Sequence, residues 1–140
     1  MTLDRVRHEL HRAEGVLAQR FRQLSERHRA EAEVHHVARD LARWSDEHVA
    51  ALGEPARSVP VPPWLSDDPD PGFALLTDLR RLHQSCAAVS LDWELLAQGA
   101  QAARNAELLD LASRCHPHTL RQLTWTNAML TELSPQILTS

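Results

Sequence analysis

The sequence contains no lysine and no tyrosine, and its 140 residues include only four glycines, two phenylalanines and two cysteines. Each shortage excludes something. All 15 basic residues are arginines, set against 19 acids for a net charge of −4, so there is no basic stripe of the kind that binds nucleic acid. The scarcity of aromatic, β-branched and turn-forming residues argues against a β-sandwich or barrel. Cys86 and Cys115 are too few for a disulfide framework and lack the C-x-x-C spacing of a zinc or redox pair. No stretch approaches the ~18 apolar residues that cross a bilayer. Asp4, Arg5, Arg7 and Glu9 leave no room for a signal-peptide apolar region. The helix faces mix arginine with acids instead of concentrating basic charge, which disfavours a lipid-surface helix. The expected setting is cytoplasmic, with reduced thiols and neither a nucleic-acid nor a membrane partner.

What the chain has in quantity is leucine (22) and alanine (19). Both favour helix. Its 43% hydrophobic and 24% charged residues suit a globular fold, and 1–140 is read as a single domain. Leu3, Val6, Leu10, Ala13, Leu17, Phe21 and Leu24 predict a helix over roughly 3–28. Val34, Val37, Leu41, Trp44, His48 and Leu52 predict a second over 32–53, ended by Gly53. Between 54 and 72, Pro55, Pro60, Pro62, Pro63, Pro69 and Pro71 preclude regular helix. At ~3.1 Å per residue this segment is long enough to return along a whole bundle. Val59, Val61, Trp64 and Leu65 imply that it packs there.

Leu75, Leu79, Leu82, Cys86, Val89, Trp93, Leu96 and Ala100 predict a third helix over 73–101. Asn105, Leu109, Ala112, His116, Leu120, Leu123, Asn127 and Leu130 predict a fourth over 105–133, kinked or divided at Pro117 and ended by Pro135. The fold class is therefore all-α: a four-helix bundle of two antiparallel hairpins joined by a long proline-rich crossover. Leu91, Leu95, Leu108, Leu111 and Met129 lie off these stripes and predict a second apolar face, suited to a homodimer.

Of the nine histidines, His8, His28, His35, His36 and His118 are expected on polar faces or at helix ends. Glu33-x-x-His36 has a metal-motif spacing but shares its face with Asp40, Arg43 and Glu47, so it is read as surface. His11 is assigned to helix-surface pairing, and His83 lies too far along its helix to join any set. His48 and His116 fall on the apolar stripes, where a buried imidazole needs a hydrogen-bond partner or a metal. Reflection through the two turns brings a position beside Glu14 to the height of His48, and a position within a turn of Glu94 to that of His116. If the crossover makes the second and third helices parallel, both pairs lie at about one level, within a helical turn.

Glu14, Ser45-x-x-His48, Glu94 and Ser113-x-x-His116, in that order, resemble the ferritin-like di-metal carboxylate bundles, which carry one Glu on each of two helices and Glu-x-x-His on the other two. The resemblance implies Glu14, His48, Glu94 and His116 as metal ligands, with Ser45 and Ser113 standing where two further carboxylates belong. Two Glu and two His suit a single ion, Zn²⁺ or Fe²⁺, better than a di-iron pair, so ferroxidase or di-iron oxidase activity is not expected. The alternative is a metal-free, non-enzymatic scaffold or interaction protein that self-associates through the second apolar face. No G-x-S-x-G, P-loop or G-x-G-x-x-G motif is present.

Overall fold

The computed structural model describes residues 2–53 and 60–140. Four α-helices make up the fold: α1 (Thr2–Arg27), α2 (Ala32–Leu52), α3 (Pro71–Ala102) and α4 (Ala106–Leu138). Among the described residues there is no strand, and no helix is long and apolar enough to cross a membrane.

Local chemistry sets the boundaries. Asp70 caps α3 by accepting the backbone N–H of Gly72 (2.9 Å) and Phe73 (3.3 Å), and Pro71 occupies the first turn, where its missing N–H costs nothing. Asn105 caps α4 by accepting from Leu108 N–H. It is a cap, not the first residue of a core stripe. The α3–α4 turn carries Arg104 at φ 55°, a left-handed conformation usually given to glycine. Pro117 and Pro135 both lie inside α4. Contrary to expectation, Pro135 does not end the helix, and at Pro117 the helix is not divided. Packing along the rest of α4 outweighs the backbone hydrogen bond each proline removes.

The side-chain contacts fix the topology. Arg7 at the start of α1 donates to the carbonyl of Leu52 at the end of α2, so these helices are antiparallel. His28 meets Asp78 and Glu14 meets Trp93, which makes α1 and α3 antiparallel. His83 with Thr126, and Gln122 with Ser45, do the same for α3–α4 and α2–α4. It follows that α2 and α3 run parallel on one diagonal, and the crossover must return along the bundle. Residues 54–59 of that crossover, Val59 among them, lie outside the described residues. From Pro60 onward it is fastened down. The Trp64 indole N–H donates to Gln23, Arg81 donates to the Trp64 carbonyl, and Ser66 N–H donates to Asp78.

The core runs in alternating steps of four and three along every helix. In α1 it is Leu10, Glu14, Leu17, Phe21 and Leu24, continued by His28 just past the helix end, and in α2 Val34, Ala38, Leu41, Ser45, His48 and Leu52. In α3 it matches the predicted stripe from Leu75 to Ala100 at every position. In α4 it is Leu108, Ala112, Cys115, Thr119, Gln122, Thr126 and Met129. A mean step of 3.5 keeps one seam facing its neighbours along a left-handed supercoil. Each large side chain fully buried in it, such as Trp93, Phe21 or Leu82, contributes about 1.5–3 kcal/mol.

This seam corrects the fourth stripe. It lies one residue, about 100° of helix, away from the one predicted. Leu120 and Asn127 are exposed, while Leu108, Leu111 and Met129, expected on a second face, belong to the core. In α2, Val37 and Trp44 likewise flank the seam that Ala38 and Ser45 occupy. Leu91 and Leu95 do remain outside, 59% and 60% exposed.

Candidate functional site: a carboxylate-backed pair of imidazoles

At mid-bundle the apolar core gives way to a polar layer. Glu14 is 0% exposed. Its Oε2 accepts two hydrogen bonds, from His48 Nδ1 at 2.6 Å and from the Trp93 indole N–H at 2.9 Å. Its Oε1 is buried without a partner. On the far side of the imidazole, His48 Nε2 lies 3.1 Å from Nδ1 of His118. The two rings are nearly coplanar, 8° apart, and the His118 ring packs against Trp44 at 5.0 Å. A line of polar contacts thus runs from Trp93 through Glu14, His48 and His118 to the α2–α4 edge of the bundle.

Proton positions follow from the partners. His48 Nδ1–H donates to the carboxylate, so in the neutral ring Nε2 is an acceptor and His118 Nδ1–H donates to it. His118 is half-buried, and its basicity is lowered first by burial and then by the charge on His48. Around this line the core keeps further polar groups. Gln122 donates to Ser45 Oγ and to the Leu41 carbonyl, both at 3.0 Å, while its Oε1 and the Thr119 hydroxyl are buried without partners. Cys86 and Cys115 are free and buried. Burial, with Glu14's charge second, raises both thiols, Cys115 to about 11.

Of the four residues expected as ligands, the structure joins only Glu14 and His48. Glu94 is exposed, because the seam of α3 passes through Trp93 and turns the next residue outward. His116 is half-buried, and its Nε2 meets Ser90 at 2.9 Å instead of an acid. Ser113 is exposed and donates back to the Leu109 carbonyl. His116 is level with Ser90, about one turn of α3 from Glu94, and α4 is rotated by one residue from the expected phase. Among the described residues, no group of three or more His, Cys, Asp or Glu side chains is placed to hold a metal ion. The family-like set Glu14, His48, Glu94 and His116 is therefore not assembled.

Two histidines assigned to the surface make hydrogen bonds to core residues. His118 completes the line above. His28 is buried beneath the crossover against Asp78, at 2.7 Å. His35 is half-buried, with its Nδ1 2.9 Å from the Ser25 carbonyl. His8 and His36 are exposed, as expected. The signal that finds Glu14 and Ser45, and excludes Glu94 and His116, is the four–three step of the apolar α3 stripe carried over to the other helices. Comparison with protein-family models, curated proteins and solved structures finds no significant match.

Proposed function

We propose that this chain is a ferritin-like helical-bundle protein that binds one divalent transition-metal ion at the α2–α4 edge of its core, through His48 and His118. The observation that carries this reading is the 3.1 Å separation of His48 Nε2 and His118 Nδ1, with Glu14 holding the opposite nitrogen of His48. Two imidazole nitrogens bound to one Zn²⁺ at ~2.0–2.1 Å with tetrahedral angles lie about 3.3 Å apart. A carboxylate behind a ligating imidazole fixes its tautomer and raises its basicity. Moving the His118 proton from Nδ1 to its own Nε2 would leave a lone pair on each of the two facing nitrogens, 3.1 Å apart. Water would complete the coordination, and the charge of exposed Glu47 acts on His118. The parallel α2 and α3 and the long crossover support the ferritin-like part of the proposal.

Titration of the purified chain with Zn²⁺ is expected to show one site, lost in His118→Ala and in His48→Ala. Glu14→Gln, which keeps the shape but not the charge, is expected to weaken binding 10–100-fold. Unchanged affinity in His118→Ala, whose ring is only half-buried, would overturn the assignment. The exposed pair Leu91 and Leu95, one turn apart, favours a second reading in which the bundle self-associates as a cytoplasmic homodimer. A light-scattering mass that falls to the monomer in Leu91→Glu supports it, and a monomeric wild type excludes it.

A further inference from the structure

On the opposite side of the bundle from His118, the crossover roofs the groove between α1 and α3 and leaves an open cleft of about 670 Å³. Arg20 lies along it. Its Nη1 donates to Ser85 Oγ at 2.6 Å, and its guanidinium carbon stands 5.7 Å from the centre of the Trp64 ring. Its Nε is buried and has no partner. No acid among the described residues pairs with Arg20. Burial draws its guanidinium below the ordinary value, and no carboxylate among the described residues acts the other way. A partly desolvated cation without a counter-charge is unfavourable unless something else supplies one.

The rest of the cleft is arranged around that charge. Arg81 lines it too, held by its bond to the Trp64 carbonyl. Ser85 donates its own hydroxyl proton to the Arg81 carbonyl, so the lone pair facing Arg20 is committed to that cation. Trp64 is fixed by Gln23, and Pro63, Ala88 and Val89 add apolar wall. The acid in the lining, Asp92, sits two turns along α3 from Ser85, about 10 Å away at 1.5 Å per residue. Burial, and then the charge of Glu9, raise its carboxyl above the usual range. The cleft therefore has a cationic end with an aromatic wall, and its volume falls within the ~300–1,000 Å³ of small-molecule sites.

We infer that this cleft binds a small organic carboxylate, its anionic head held by Arg20 and Arg81 and its apolar body laid against the exposed Pro63 and Ala88. Arginine matches a planar carboxylate in shape as well as charge, and the Trp64 ring holds the Arg20 guanidinium in place beside it. The site is independent of the proposed metal centre.

Calorimetric titration with benzoate tests it, with benzamide as the neutral isostere and inorganic phosphate as the bare anion. Benzoate is expected to bind at least tenfold more tightly than either. Arg20→Met and Arg81→Met are each expected to weaken it at least tenfold, with Arg20→Lys recovering part of the loss. Arg81 is exposed, so its variant is expected to fold and to leave the Zn²⁺ titration unchanged. Benzamide binding as tightly as benzoate, phosphate binding more tightly, unchanged affinity in both methionine variants, or no benzoate binding at millimolar concentration would each overturn the proposal.

Discussion

Two buried acid–imidazole pairs sit in this bundle, Asp78 with His28 under the crossover and Glu14 with His48 at its centre, and they differ in what surrounds them. Asp78 is fully used. Its Oδ1 accepts the Ser66 N–H at 2.7 Å, its Oδ2 accepts His28 at 2.7 Å, and Arg27 stands 3.6 Å off. Each bond ties a different element to the start of α3, so the pair acts as a staple between α1, the crossover and α3. Glu14 is used on one oxygen only, and its imidazole leads outward to a second ring. A satisfied pair needs no ligand to explain it. A pair with an open end has capacity for a proton or a metal ion, and that difference separates the structural site from the functional candidate.

The largest expected effect breaks the staple. Asp78→Ala leaves His28 and the Ser66 N–H buried without an acceptor, and is expected to cost about 3–5 kcal/mol in urea unfolding. If Asp78 is purely structural, Zn²⁺ affinity survives wherever the variant still folds. Next comes the metal centre, where loss of binding in His118→Ala should accompany little loss of fold, the reverse of the Asp78 result. A still smaller effect separates the two halves of the sequence pattern. Glu94→Ala and His116→Ala are expected to leave Zn²⁺ affinity unchanged, and the exposed Glu94 to change stability by no more than about 0.5 kcal/mol.

The pH dependence sharpens the same contrast. Burial lowers the basicity of His118 in the folded state, so the unfolded chain takes up that proton first. Metal-free protein should therefore lose stability as pH falls through the unfolded value near 6.5 towards the lower folded one. His118→Gln is expected to flatten that slope, measured by denaturant midpoint against pH. A slope that persists unchanged assigns the proton to another group. The smallest effect is local: Arg104→Gly relieves a left-handed residue in the α3–α4 turn and is expected to stabilise by about 1 kcal/mol. It should leave both buried pairs untouched.

The fold was legible wherever the core is apolar. The α3 stripe was read correctly at all its positions because Leu, Val, Trp, Cys and Ala fill it, and the crossover announced itself through its prolines. Reading failed where the core is polar. Thr119, Gln122 and Thr126 occupy the α4 seam, so the apolar periodicity of this helix lies at its flank, on Leu109, Leu120, Leu123 and Leu130. That one-residue rotation carried His116 inward on paper and His118 outward. Glu14 was found by its height opposite His48, a property that survives an error in phase. His28 was missed because its partner Asp78 lies 50 residues away, on a helix that meets it only after the crossover has returned.

The ¹⁵N spectrum of the imidazoles during Zn²⁺ addition reports on the proposed centre most directly. At one equivalent, His48 Nε2 and His118 Nδ1 are expected to take on the shifts of metal-bound nitrogens while His48 Nδ1 remains a protonated donor to Glu14. Movement of His116 instead, or no movement of either ring at saturating Zn²⁺, would contradict it.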